Sequence, residues 1–265
     1  YRKAKSPVRP FVRKRWNKPP FSTAANVAER YLRIWSNGNH NLHTNGEADL
    51  LRRLGPLGLS TVLDVGCHVG SWTDQALAHL PGVSVHAFEA DPRLATDLEA
   101  KYRGNARVVV NASGMADESG THVLFVNPDA RDISSMVDDG KGLPPVEVPV
   151  VRGDEYCRDH GIEVVDFLKI DTEGFDFNVL SGFDTMFGPA LRIVQFEYNE
   201  WNAKGRRLLA DFYDLLEPHG YRIGKVHLNG VDFRPYRVAD ENWVGPACIA
   251  VHESAADAAR AIAVS

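Results

Sequence analysis

Along the chain, short apolar runs rich in β-branched residues alternate with stretches in which apolar positions recur every three or four residues. The first pattern predicts strands at about 60–66 (STVLDVG), 83–89 (VSVHAFE), 106–111, 164–170 (VVDFLKI) and 191–197 (LRIVQFE). The second predicts helices near 70–80, 92–102, 174–182 and 204–217. Such alternation implies right-handed β-α-β units and a mostly parallel sheet covered on both faces. Two β-rich runs without a crossover helix, "THVLFV" and "VEVPVV", sit between the third and fourth strands. Near the end, "GYRIGKVHL" and "GPACIAVHE" are separated by irregular residues and read as a closing antiparallel pair.

Ahead of the first strand, "AANVAERYLRIW" and "EADLLRRLGPLG" carry helical spacing, the second ending in Gly and Pro. The expected organisation is a basic flexible arm at 1–22, an N-terminal helical cap at 23–58, the α/β domain at 59–253 and a C-terminal tail at 254–265. The first 20 residues hold eight basic side chains, four prolines and no acid. That composition argues against a core and suits either a solvated arm or a peripheral contact with an anionic membrane or a partner.

Length and composition narrow the rest. A chain of 265 residues with 44% apolar residues and a net charge of −5 suits one large domain. No apolar run approaches the roughly 20 residues that span a bilayer, so no transmembrane segment is expected. Cys67, Cys157 and Cys248 are odd in number and widely spaced, which disfavours a disulfide framework or a zinc site and fits a reducing cytoplasm. Outside the arm the chain is acidic and has no basic-aromatic stripe, which argues against nucleic acid as a partner.

In a sheet of this kind ligands sit beyond the carboxyl ends of the strands. The first strand runs into Asp64-Val65-Gly66-Cys67-His68-Val69-Gly70. Gly66 and Gly70 permit a tight turn and close backbone approach. A dinucleotide site would show G-x-G-x-x-G; its absence disfavours a dehydrogenase, and Asp64 would repel phosphate but suits a cationic ligand. Glu89 ends the second strand about 20 residues on, where a carboxylate can accept both hydroxyls of a ribose. Asn111 and Ser113 follow the third strand, either reading an adenine edge or capping a turn. A cationic, phosphate-free nucleoside is S-adenosylmethionine, so the sheet resembles a class I, Rossmann-like methyltransferase.

The stretch "DFLKIDTEGFDFNVLSGF" sets Asp171 and Glu173 two residues apart at the end of the fourth strand, and Glu197 ends the fifth. If the chain stays extended there, Asp171 and Glu173 point the same way, and strands about 4.8 Å apart bring all three acids together. Three roles are open to them. A carboxylate of raised pKa can take the proton of an attacking hydroxyl; the set can hold Mg²⁺, which acidifies a coordinated hydroxyl; or the cluster is structural, with Glu173 favoured at the positive end of the next helix and Asp171 bonded to a neighbouring loop. Tyr198, Asn199 and Trp201 offer flat faces and amide groups suited to a sugar, or to any exposed loop. His43 and His227 read as surface or capping residues.

"TNGEADLL", "LDVGCHVGSW", "HAFEADP", "ISSM", "VDFLKIDTEGFDFNVLSGF" and "IVQFEYN" together resemble the FkbM family of S-adenosylmethionine-dependent O-methyltransferases, in the family's order from about residue 44 to 251. The resemblance implies methylation of a hydroxyl on a sugar, glycolipid or polyketide acceptor in bacterial secondary metabolism or envelope synthesis. It also implies that Asn45 and Glu47 help close the cofactor site, with helix capping as the alternative for Asn45. One departure is Cys67-His68, where the family's loop usually has Ala-Asn; His, like Asn, tolerates positive φ. A reading from another class is a non-catalytic cofactor-binding scaffold, distinguished by binding without turnover.

Overall fold

The computed structural model describes residues 8–128, 134–245 and 247–264, with only the backbone described for residues 8–11. Three helices come first: α1 (Val8–Arg15), α2 (Phe21–Trp35) and α3 (Glu47–Leu54). The α/β body then runs β1 (Thr61–Val65), α4 (Ser71–His79), β2 (Ser84–Phe88), α5 (Pro92–Lys101) and β3 (Val108–Asn111). An inserted segment contributes β4 (Gly114–Ala116), β5 (Gly120–Val126), β6 (Ser134–Ser135) and β7 (Pro145–Arg152), followed by α6 (Gly153–Asp159). The body resumes with β8 (Phe167–Ile170), α7 (Asp176–Ser181), β9 (Ile193–Glu197), α8 (Glu200–Lys204) and α9 (Leu209–Leu216). It closes with β10 (Tyr221–His227), β11 (Gly230–Phe233), β12 (Ala247–His252) and α10 (Ala256–Ile262).

The main sheet has the order β11-β10-β12-β9-β8-β1-β2-β3. The strands from β3 to β9 pair in parallel, and β12 enters antiparallel between β9 and β10. This is the class I methyltransferase arrangement, with β11 added as an edge strand. Alternation along the strands sorts the core onto two faces. Val62, Val85, Phe167, Ile193 and Ile249 pack under α3, α4 and α10, whereas Leu63, Leu168, Val194 and Ala250 pack under α6, α7 and α9. Both faces are covered by helices, so the central strands are mostly apolar, with one buried polar residue inside each of β1, β8 and β9, namely Asp64, Lys169 and Gln195.

Five local expectations need correction. The segment between the closing strands is not irregular throughout: a tight turn at Leu228 and Asn229 folds β11 back on β10. The helix expected over 204–217 breaks at Gly205 and Arg206, the latter at φ 56°, leaving α8 and α9. Residues 254–265, set apart above as a tail, instead form α10, which buries Ala258, Ala259 and Ile262 against α3. Within the stretch read as a cap, α3 buries Leu50, Leu51 and Leu54, but α2 buries nothing. Of the stretch read as an arm, Val8–Arg15 is helical, and residues 1–7 lie outside the described part.

The inserted segment forms a second sheet, in the order β4-β7-β5-β6. It stands over the carboxyl ends of β1, β2 and β8, and Leu124, Ser134, Ser135 and Met136 make one wall of a cleft there.

Candidate active site

Beyond β1 the chain turns sharply through Gly66, His68 and Gly70, with φ of 79°, 52° and 77°. Gly66 is required twice over: a Cβ there would lie 1.9 Å from the backbone oxygen of Asp171. His68 takes the left-handed conformation in place of the family's Asn, and its backbone N–H donates to Glu89 at 2.8 Å. Glu89 also accepts from the backbone N–H of Asp91 at 2.9 Å. Each Glu89 oxygen therefore holds one backbone donor and keeps a lone pair for a ligand hydroxyl. Burial lifts its pKa above the ordinary value, against the pull of those two N–H groups.

The Gly66–His68 loop separates two clefts. On one side an open cleft of about 820 Å³ is lined by Glu89, Ala90, Leu94, Met115, Ser135 and Met136, among others. On the other a cleft of about 620 Å³ is lined by Glu47, Asp64, Trp72, Lys169 and His40, among others. Gly66, His68 and Asp171 border both, so a bent ligand can pass over the loop with its middle beside Asp171. The first cleft has an apolar body with Glu89, Asp171 and Glu173 in its lining, and among the described residues no Lys or Arg lines it. In the second the one Lys or Arg among the described lining residues, Lys169, already bonds Asp171 at 2.9 Å. This set of side chains suits a purine nucleoside with a cationic tail better than a pyrophosphate.

Acids surround Lys169. Burial depresses its pKa, but Asp171, Glu47 and Asp64 more than offset this and hold it well above the ordinary value. Asp64 is fully buried, accepts from the Thr73 hydroxyl at 2.6 Å, and is pushed by burial up to about 6 despite the Lys169 charge. Glu47 accepts from Asn45 Nδ2 at 2.6 Å and from Gln195 Nε2 at 2.5 Å, which ties the start of α3 to the middle of β9. Asn45 is not the N-cap of α3, a place taken by Gly46, although its Oδ1 accepts the Glu47 backbone N–H at 3.0 Å.

Asp171, Glu173 and Glu197 do converge, with carboxylate oxygens all within 4.8 Å of one another. The geometry that achieves it differs from the extended chain expected above. β8 ends at Ile170, Glu173 sits at φ 52° and Gly174 at φ 94°, so a tight turn, not strand pleating, folds Glu173 back over Asp171. Ser135 pins that turn by donating to the Glu173 backbone oxygen at 2.8 Å. Glu173 does not occupy the helix start either. That place belongs to Asp176, which accepts from Thr172 Oγ1 at 2.8 Å and from the Glu197 backbone N–H at 3.0 Å. Burial, reinforced by the charges of Asp171 and Asp176, raises the pKa of Glu173 to about 8. Burial and the same crowd of acids, Glu173 included, push Glu197 well above the ordinary value.

A third groove, of about 630 Å³, opens on the other side of Glu173. Arg33, His40, Asn199, Trp201, Trp243 and Gly245 are among its lining residues. Asn199 Nδ2 donates to Glu197 at 2.6 Å, and Trp201 carries the Lys204 ammonium 3.4 Å above its ring. Of the three residues read as acceptor contacts, Asn199 and Trp201 line the groove. Tyr198 does not: consecutive residues of the strand end point to opposite faces, and its ring is buried in the core with its hydroxyl on Glu241. Asn111 and Ser113 are also absent from the cleft linings. Asn111 is occupied by the Ala87 carbonyl and the Tyr156 hydroxyl, whereas Ala90, Met115 and Met136 line the cleft.

Two contributors escaped the sequence reading. His40 lies in the loop between α2 and α3, its Nδ1 3.5 Å from Glu197 Oε1, and it borders both the third groove and the second cleft. No periodicity marks a loop histidine, and only the fold brings it beside β9. Ser134, Ser135 and Met136 were legible as the motif "ISSM" but carried no role until the second sheet was seen to cover the cleft. His43 is exposed, and His227 is half-buried with burial lowering its pKa.

The model of the methyltransferase FkbM domain matches residues 64–223. The chain is 28% identical over 194 residues to the 31-O-demethyl-FK506 methyltransferase FkbM of Streptomyces tacrolimicus, covering 61% of this chain and 72% of that protein. It is 25% identical over 171 residues to the 2-O-methyltransferase NoeI of Sinorhizobium fredii, covering 58% and 70%. The crystal structure of methyltransferase FkbM from Methylobacillus flagellatus aligns at a TM-score of 0.46 with 15% identity, over 74% of this chain and 44% of that one. The family model spans the Gly66 loop, Glu89, the second sheet and all three clustered acids, and on that match the chain belongs to the FkbM methyltransferase family.

Proposed function

We propose that this chain transfers a methyl group from S-adenosylmethionine to a hydroxyl of a sugar, glycolipid or polyketide acceptor. The observation that carries the reading is the position of Glu173, which borders both the Glu89 cleft and the Trp201 groove. When bound, the cofactor supplies an electrophilic methyl on a cationic sulfur. Glu89 and the backbone of the Gly66–His68 loop bind the nucleoside, Met115 and Met136 pack the base, and Asp64 and Glu47 give the second cleft its negative character.

The acceptor hydroxyl enters from the third groove, and its proton passes to Glu173. A carboxyl of pKa near 8 is well matched to that task, because it holds the proton firmly yet is about one-tenth ionised at pH 7 and about half ionised at pH 8. Asp171 and Asp176 sustain that proton affinity by their charge, while Asn199 and His40 orient Glu197. Both curated relatives bear names of O-methyltransferases, which supports oxygen as the acceptor atom.

A second reading is favoured by the compactness of the acid cluster: the same three carboxylates are close enough to share Mg²⁺, which would lower the pKa of a coordinated hydroxyl. Chelation separates the two. With labelled S-adenosylmethionine and a panel of glycosides and glycolipids, direct base catalysis is indifferent to EDTA, and metal assistance is lost and then restored by Mg²⁺. Asp171→Asn is expected to cut turnover by about 10² or more while leaving cofactor affinity nearly unchanged. Cofactor binding without turnover on any acceptor would instead indicate a scaffold.

A further inference from the structure

Helix α2 is long enough to bury a face and buries none. From Thr23 to Trp35 every residue is exposed. At 100° per residue, Ala24, Val27, Ala28, Tyr31, Leu32, Ile34 and Trp35 share one half of the helix, while Asn26, Glu29, Arg30 and Arg33 share the other. The apolar half is open to solvent: Val27 is 64% exposed, Tyr31 65%, Ile34 72% and Trp35 67%. A contiguous apolar surface of this kind on a folded protein marks an interaction site. The segment just before it adds exposed Arg13, Lys14, Arg15 and Lys18 around an exposed Trp16. Between Arg13 and Trp35 six basic residues face one acid, Glu29, in a chain whose net charge is −5.

We propose that α2, with the basic segment before it, is an interfacial anchor that lies on an anionic lipid bilayer. The apolar half sinks to the boundary between headgroups and acyl chains, the Trp and Tyr rings sit at headgroup level, and the Arg and Lys side chains reach lipid phosphates. A second copy of the chain would cover the apolar half but bring two sets of six like charges together across the interface. An anionic surface satisfies the apolar and the cationic features at once.

Arg33, in the last turn of α2 and on its polar half, lines the acceptor groove, so docking holds that groove one helix diameter, roughly 10 Å, from the headgroups. This consequence rests on the methyl-transfer reading and makes a lipid-borne hydroxyl the acceptor. The docking itself does not depend on it.

The test is cosedimentation of the full chain, without cofactor or acceptor, with phosphatidylcholine vesicles that contain or lack phosphatidylglycerol. Binding is expected on the anionic vesicles and should fall at least about tenfold in high salt and in the Ile34→Ser/Trp35→Ser double variant. The melting temperature of that variant should match wild type, because the two side chains bury nothing. The proposal is overturned if wild type ignores anionic vesicles, if it binds neutral and anionic ones equally, or if the double variant binds as well as wild type. Sedimentation velocity showing a dimer that the double variant dissolves would assign the face to a second copy.

Discussion

Replacing Glu173 by Gln should make the protein more stable at alkaline pH and leave it unchanged in acid. Gln has the shape of the protonated carboxyl and cannot ionise. In the folded state the Glu173 pKa stands at about 8 against an ordinary value of 4.5, with burial the largest cause and the charges of Asp171 and Asp176 next. A group whose pKa rises on folding holds its proton in the native state after the unfolded chain has released it. Stability is therefore full below about 4.5, falls as pH rises towards 8, and levels off above. At ~1.4 kcal/mol per pH unit the whole interval would approach ~5 kcal/mol, but the residue borders two open clefts and water relaxes around it, so about 2 kcal/mol is the expected gain for Glu173→Gln near pH 9. For a chain of this length that corresponds to a rise of roughly 4–8 °C in Tm. Thermal melts of both proteins from pH 5 to 9, with EDTA present, read it directly. Curves that coincide at pH 5 and diverge upwards support the argument. Parallel curves, or a variant less stable at pH 9, would refute the crowding of charge around this turn.

Gly66→Ala should destabilise by about 3 kcal/mol or more, measured by urea unfolding, since its Cβ would collide with the Asp171 carbonyl and φ is 79°. Glu89→Ala should weaken S-adenosylmethionine binding by about tenfold in calorimetry; unchanged affinity in a folded variant would remove Glu89 from the site. Deleting residues 1–20 should leave Tm and turnover on a soluble acceptor nearly unchanged, because residues 13–20 are exposed and the segment is rich in charge and proline; a large loss of Tm would show that the segment is docked on the domain. The apparent pKa governing kcat/KM should lie near 8 and vanish in Glu173→Gln, together with about 10² of turnover.

The strand and helix alternation was legible because burial on both faces makes β1, β8 and β9 mostly apolar, with only Asp64, Lys169 and Gln195 as polar interruptions inside them, and the glycine loop because its turn forbids side chains at Gly66. Glu89, Asp171, Glu173 and Glu197 were legible for a related reason: each lies at or within three residues beyond a strand end, and strand ends in such a sheet face the ligand. What could not be read locally was which way each residue turned once the strand stopped. Left-handed backbone at Glu173 and Gly174 replaced the extended path, and Tyr198 went into the core while its neighbour Asn199 stayed at the groove. His40, Ser135 and Lys169 owe their roles to partners far along the chain, Glu197, the Glu173 carbonyl and the carboxylates of Glu47 and Asp64. The identity and order of the elements are thus set by residue periodicity, a local property. The site is set by long-range contacts among loops, whose sequences carry no period and whose conformations are decided only when the sheet brings them together.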